Sequence, residues 1–250
     1  MKHLLNHRFV VGSALALVVG FGMIACNKDK NQVGVTNPVS GLMAFNLASD
    51  KSVSVTLSGN PIANTPLAFT GYTGNYLTVF SGPRLVQSFD YTTGGVLDSV
   101  TYNFVENKYY SLFVTGANGH YHNFLVNDNY DSLNTSQANI RYVSAIADSS
   151  APAVTVSANG ANVVQANASF GTVSAFTPVT AGDVTVSISN GGTYSKSRTF
   201  TVDQHKAYTV LLAGNPASAG PDSLQIRYVE NGTLTQGTQK ASTAGSANTN

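Results

Sequence analysis

The sequence predicts an all-β fold: two tandem antiparallel β-sandwich domains behind an amino-terminal targeting segment. Three observations carry this. Short runs of β-branched and aromatic residues alternate with polar ones, Gly, Asn and Ser clusters punctuate them, and no amphipathic helical period occurs. The 250 residues are 42% hydrophobic but only 10% charged, far below the roughly 25% charged of an average globular chain. The chain also repeats itself at an offset of about 98 to 101 residues.

The first element is an address. Lys2 and Arg8 precede an uncharged apolar run, Phe9–Ile24, which is too short for a spanning helix of about 20 residues. The single cysteine of the chain, Cys26, stands at its end after Met23-Ile24-Ala25. This resembles a bacterial lipoprotein signal of the Bacteroidetes type. The resemblance implies cleavage after Ala25, lipidation of Cys26, and a cell-envelope location at the outer membrane, anchored by several acyl chains. Asn27-Lys28-Asp29-Lys30 is weakly similar to the surface-export signal of those lipoproteins. Residues 26–40 then read as lipidated cysteine and polar tether. Removing residues 1–25 takes away two cations, leaving eleven basic and twelve acidic side chains, so the net charge passes from +1 to −1.

Repeat 1 spans 41–130, a linker 131–136, and repeat 2 137–230. Lys108–Gly116 (KYYSLFVTG) aligns without gaps to Lys206–Gly214 (KAYTVLLAG), and Val53–Gly59 to Val154–Gly160. Gly82 corresponds to Gly182 and Phe69 to Phe170. The clearest strand is Val184–Ser189, with Val184, Val186 and Ile188 on one face and hydroxyl residues on the other, as a sheet with one wet face requires. Wet faces built of Ser, Thr and Asn account for the scarcity of charge. A hairpin runs Arg84–Asp90, turn Thr92–Gly95, Val96–Val105. Gly59, Gly82, Gly160 and Gly182 fall where turns need φ > 0. Tyr110 and Tyr208 alternate inward with Leu112/Val114 and Val210/Leu212, as core tyrosines with hydroxyls at the edge. Residues 231–250 are polar, low in complexity, and read as a disordered tail.

Repeat 2 carries a fuller pattern: RYVSAIADSSAPAVTVSANG (141–160), ASFGTVSAFTPVTAGDVTVSI (168–188) and FTVDQHKAYTVLLAG (200–214). It resembles the bacterial DUF4397 family, a domain of unknown function. Asp148 to Pro152, Phe170-Gly171-Thr172-Val173 and Tyr208-Thr209 fill its loop, middle and end. The resemblance implies an immunoglobulin-like sandwich in an envelope protein and brings no activity with it. Repeat 1 is divergent, with Asp50-Lys51-Ser52 in place of the Pro-containing loop.

Chemistry is sparse. One cysteine forbids a disulfide framework, and thirteen thinly spread cations do not make a nucleic-acid surface. No nucleophile elbow, zinc-protease or phosphate-loop motif occurs, and no cofactor is implied. Glu106 and Glu230 are the two glutamates beyond the targeting segment, and most aspartates sit in turns. His120-x-His122 shares a strand face but lacks a third ligand, and His205 falls in a turn. Asp128, Asp131 and Asp148 are candidates for Ca²⁺, because the Asn127–Asp131 linker is acidic and amide-rich and resembles a fragment of a cadherin linker. Tyr72, Tyr76, Tyr121 and Tyr130, near Gly- and Asn-rich loops, are candidate contacts for a protein or glycan partner. The expectation is a non-catalytic, membrane-anchored binding protein. A structural spacer or assembly subunit is the alternative, and a hydrolase the less favoured one.

Overall fold

The computed structural model describes residues 37–148 and 150–234. Cys26, the expected targeting segment and tether, and residues 235–250 lie outside them. The first half contains eight strands: β1 (Val39–Ala48), β2 (Val53–Leu57), β3 (Asn60–Pro61), β4 (Leu77–Phe80), β5 (Gly82–Asp90), β6 (Val96–Phe104), β7 (Tyr109–Ala117) and β8 (His120–Asn127). The second half repeats them as β9 (Ala138–Ile146), β10 (Ala153–Ala158), β11 (Ala161–Asn167), β12 (Thr177–Val179), β13 (Gly182–Asn190), β14 (Tyr194–Val202), β15 (Lys206–Gly214) and β16 (Gln225–Thr233).

Each half is a sandwich of two four-stranded sheets, β4-β1-β7-β8 over β3-β2-β5-β6, and β12-β9-β15-β16 over β11-β10-β13-β14. The strand orders match one for one, so the sequence repeat is a structural repeat. Pairing is antiparallel except in one place per half: β1 runs parallel to β7, and β9 to β15. The β2–β3 and β10–β11 turns use two successive φ > 0 residues, Ser58-Gly59 and Asn159-Gly160, the twist that a two-residue hairpin needs. All four glycines expected at φ > 0 adopt it. On β13 the alternation holds: Val184, Val186 and Ile188 are buried, while Thr185 and Ser187 pair their hydroxyls across to Thr199 and Ser197 at 2.8 and 2.9 Å.

The central strands depart from that rule. Nearly every residue of β1, β7, β9 and β15 is buried. Leu42, Ala44, Tyr110, Leu112 and Val114 fill the first sandwich; Ile140, Tyr142, Tyr208, Val210 and Leu212 fill the second. The opposite faces, Met43, Phe45, Leu47 and Phe113 against Val143, Ala145, Leu211 and Val229, form a third core between the two halves. The sheets therefore stack four deep, and strands covered on both faces read as continuous apolar runs. The repeats are packed against each other, not strung on a linker.

Two boundaries shift. Residues 231–234, expected in the tail, belong to the fold: β16 runs to Thr233, and Asn231 and Leu234 are buried. Tyr130 opens a single 3₁₀ turn, Tyr130–Ser132, and is buried.

Candidate functional site

Three places in the stack gather chemistry. The first is a buried polar cluster between the halves. Register makes its origin plain: Met43 on β1 lies opposite Ser111, as Arg141 on β9 lies opposite Thr209. Arg141 is thus the repeat-2 counterpart of Met43. Likewise Asp128 and Asn231 each follow the residue facing Tyr110 or Tyr208. Arg141 and Asp128 are 3% and 1% exposed, and an uncompensated charge at such depth is costly. They compensate each other, with Nη1 2.6 Å from Oδ1. Arg141 also donates to Ser111 Oγ at 2.8 Å and Thr209 Oγ1 at 2.9 Å, and its guanidinium lies 4.5 Å from the Phe176 ring centroid. Asp128 Oδ2 accepts from Ser111 at 2.8 Å and from Tyr76 at 2.5 Å. Tyr76, spending its proton there, accepts from Tyr130 at 2.9 Å. Burial, then the Asp128 charge, raises both phenols well above their ordinary range. Thr209 donates to Asn231 Oδ1 at 2.6 Å, and Asn231 Nδ2 faces Met43 Sδ at 4.0 Å. Arg141 meets three partners inside the cluster, Asp128, Ser111 and Thr209. The cluster joins the halves, and Tyr76 is its half-buried member, reaching a surface cleft beside Lys108 and Tyr109.

The three calcium candidates lie apart, each with partners of its own. Asp128 is consumed by Arg141, Tyr76 and Ser111. Asp131 is exposed and pairs with Lys108. Asp148 accepts from Ser150 and Tyr194 in repeat 2. Among the described residues no three His, Cys, Asp or Glu side chains converge to hold a metal. The tyrosine candidates are placed in packed surroundings. Tyr72 stacks on Phe45 with centroids 5.6 Å apart, Tyr76 and Tyr130 sit in the cluster, and Tyr121 packs in the first core and donates to Asp50 at 2.8 Å. Tyr121 and Tyr130 are buried, and Tyr72 and Tyr76 are half-buried. A loop composition rich in Tyr, Asn and Gly does not separate a solvent-facing ring from one that folds back over a sheet. His120 and His122 are exposed on one face of β8, as expected, and line a shallow groove with Asp148 and Phe170. His205 is exposed, and its ring contacts the Thr135 carbonyl.

The second place is an apolar cleft of about 330 Å³ at one edge of the first sandwich, lined by Leu57, Ile62, Leu77, Val79, Phe80 and Arg84 among others. It exists because β3 is two residues long and ends in Pro61, which cannot continue a ladder. Its counterpart β11 runs seven residues and covers β10 along its whole length. Phe80 is 55% exposed at the rim. Arg84 is fixed beside it, donating to the Phe80 and Ser81 carbonyls at 3.2 Å each, with its guanidinium 5.8 Å from the Phe80 ring.

The third place is at the opposite edge of the second sandwich, between β14 and β16. A shallow groove there is lined by Lys196, Arg198, Arg227, Ser223 and Gln225 with the Gly220-Pro221 turn. Neither solvent-facing cleft was foreseen from sequence. The available signal was in the aligned repeats: Val100 and Asp98 of β6 become Arg198 and Lys196 of β14, and an inward apolar position gains a charge.

The fold and these sites define a class, a double β-sandwich with clefts at its sheet edges. Comparison places its second half: residues 138–242 match the family described as Domain of unknown function (DUF4397), beginning at the first residue of β9. No curated protein matches the chain. Among solved structures, the CBM26-family module CBMbc of Amy13K from Eubacterium rectale, crystallised with maltoheptaose, is 12% identical, with 75% of this chain and 100% of that chain covered and a TM-score of 0.22. A likeness that low bears no argument about either molecule.

Proposed function

We propose that the chain is a non-catalytic cell-envelope lipoprotein, anchored through Cys26, whose double sandwich binds a protein or glycan partner. In this reading repeat 1 is a divergent copy of the domain matched in repeat 2. The observation that carries the binding role is the apolar cleft of repeat 1. This sandwich leaves Phe80 exposed over a preformed hollow beside a fixed arginine. Concave apolar openings with a few placed polar groups are the usual form of a binding site. Stacking also speaks against a spacer built for reach, because two domains laid face to face are shorter than two placed end to end. A hydrolase needs a nucleophile, a base and an orienter together; among the described residues no imidazole is hydrogen-bonded to a hydroxyl or carboxylate side chain, and His205 meets a backbone carbonyl.

The test is recovery of partners from intact envelopes, by crosslinking and affinity capture, with wild-type protein and Phe80→Ser. A specific protein or glycan captured by the wild type and lost with Phe80→Ser is expected. Equal recovery by both removes the cleft from the proposal. The anchor is tested by fractionating Cys26→Ala, which should leave the membrane; unchanged membrane association defeats the lipoprotein reading.

A further inference from the structure

The groove between β14 and β16 differs from the rest of the molecule in its charge. Eight Lys and Arg side chains stand among the described residues. Lys51, Lys108, Arg141 and Lys206 each face a carboxylate. Among the described residues Arg84, Lys196, Arg198 and Arg227 face none; Arg84 lies at the repeat-1 cleft, and the other three line this one groove. In a chain with so few charges, three uncompensated cations at one opening form a local positive field. Asp222, on the adjoining turn, does not line it.

The cations are also held in place. Lys196 Nζ donates to the Leu224 carbonyl at 2.7 Å, and Arg198 Nη1 donates to the Ile226 carbonyl at 3.0 Å, each reaching across the open edge from β14 to β16. Arg198 lies over the Tyr228 ring, 5.4 Å from its centroid. Arg227 Nε donates to Gln225 Oε1 at 2.9 Å. Each head group keeps further donors free, because an ammonium has three and a guanidinium five. Ordering cost is therefore already met before a ligand arrives. Lys196 and Arg198 are two residues apart on one strand face, so their charges repeat at about 7 Å along the groove.

We propose that this groove binds an acidic polysaccharide, whose carboxylate or sulfate groups are held by Lys196, Arg198 and Arg227. Guanidinium groups meet such planar or tetrahedral oxyanions with paired hydrogen bonds. Ser223 supplies a neutral hydroxyl of the kind sugar hydroxyls pair with, while the Gln225 amide bonds the Pro221 carbonyl and Arg227. A protein partner would need an apolar or aromatic anchor pocket, and the one ring here, Tyr228, is covered by Arg198. A lipid headgroup surface is usually met by four to eight clustered cations, and the groove has three. The site is separate from the repeat-1 cleft, and the inference stands or falls without it.

The experiment titrates the full chain with oligogalacturonate and with dextran sulfate by calorimetry, at low and raised salt. Binding of at least one probe is expected, weakening as salt rises. Arg227→Gln should lower affinity about tenfold with melting unchanged, since its one described bond lies within its own strand. The double variant Lys196→Gln/Arg198→Gln should abolish binding. Lys108→Gln, the same charge change on the other sandwich, should leave affinity unaltered. The proposal is overturned if neither probe binds, if maltoheptaose binds equally well, if phosphatidylglycerol vesicles capture the chain as tightly as either probe, or if Arg227→Gln and Lys108→Gln behave alike.

Discussion

The two sandwiches share one strand order and open on opposite edges. In repeat 1, the side between β6 and β8 is sealed: Val100 packs toward the core, Asp98 accepts from the Asn123 amide at 2.6 Å, and Asn123 returns a bond to the Asp98 carbonyl. Its far edge is left open by the short β3. In repeat 2, the long β11 closes that far edge, while Lys196 and Arg198 take the places of Asp98 and Val100 on the near one and reach across it to β16 carbonyls. A duplicated fold keeps its central strands under strict packing, because they are buried on both faces. Its edge strands are free to diverge, and the clefts appear where they do. The difference teaches where to look for function in such a molecule: at the edges that one copy seals and the other does not.

The largest test concerns the place where the halves meet. Arg141 and Asp128 occupy the positions that Met43 and Asn231 fill in the other copy, so the molecule already contains a neutral version of its own ion pair. Arg141→Met alone strands the buried Asp128 carboxylate and should cost about 3–5 kcal/mol in chemical denaturation. Arg141→Met combined with Asp128→Asn recreates the Met43/Asn231 arrangement and should recover all but about 1 kcal/mol. An Asn at 128 still accepts from Tyr76 and Ser111 through its carbonyl. A double variant no better than the single one would show that the pair does more than compensate itself.

Next in size is a pair of glycines. Gly116 and Gly214 end the equivalent strands β7 and β15 with φ of +123° and +103°, and a Cβ on either would run into a carbonyl oxygen, that of His120 or of Ser223. Strain of this kind costs roughly 1–3 kcal/mol before the clash is counted. Gly116→Ala and Gly214→Ala should each lower the denaturation midpoint, by similar amounts, if the two copies bear their central strands alike. A cost confined to one would mark that sandwich as the more tightly determined half.

Much of this architecture was legible in the sequence, and the reasons are local. Strand existence follows from period-two alternation, which β13 shows without exception. The repeat follows from KYYSLFVTG and KAYTVLLAG, whose residues bury on both sides. That double burial was itself written in those strings, since Phe113 and Leu211 are as apolar as their neighbours; alternation alone assigns such positions to solvent. The parallel pairing of β1 with β7 was not legible, because residues 39–48 carry no mark of which strand they will meet. The candidate sites were the least legible. Asp128 reads as a linker acid until Arg141, thirteen residues on, is known to lie beside it in the stack. Arg141 itself, a charge within an apolar run, was the signal. A charge at an inward position demands a partner, and naming that partner needs the fold.

The smallest expected effect compares one hydroxyl in each copy. The Val105 N–H donates to Tyr110 Oη at 2.9 Å, and the Asp203 N–H donates to Tyr208 Oη at 3.0 Å, so each buried tyrosine satisfies the backbone five residues upstream. Tyr110→Phe and Tyr208→Phe should each cost about 1 kcal/mol, the net worth of one such bond. Tyr208 adds a pH dependence. Burial pushes its phenol up from 10.0 to about 12. Below pH 10 folded and unfolded chains both keep the proton, and the contribution is complete. Above it the unfolded chain releases the proton while the folded one holds on, so stability falls as pH rises toward 12. In Tyr208→Phe that fall should be shallower across the same window, measured by denaturation at stepped alkaline pH. A slope identical to the wild type would mean that the hydroxyl at 208 is no more shielded when folded than when unfolded.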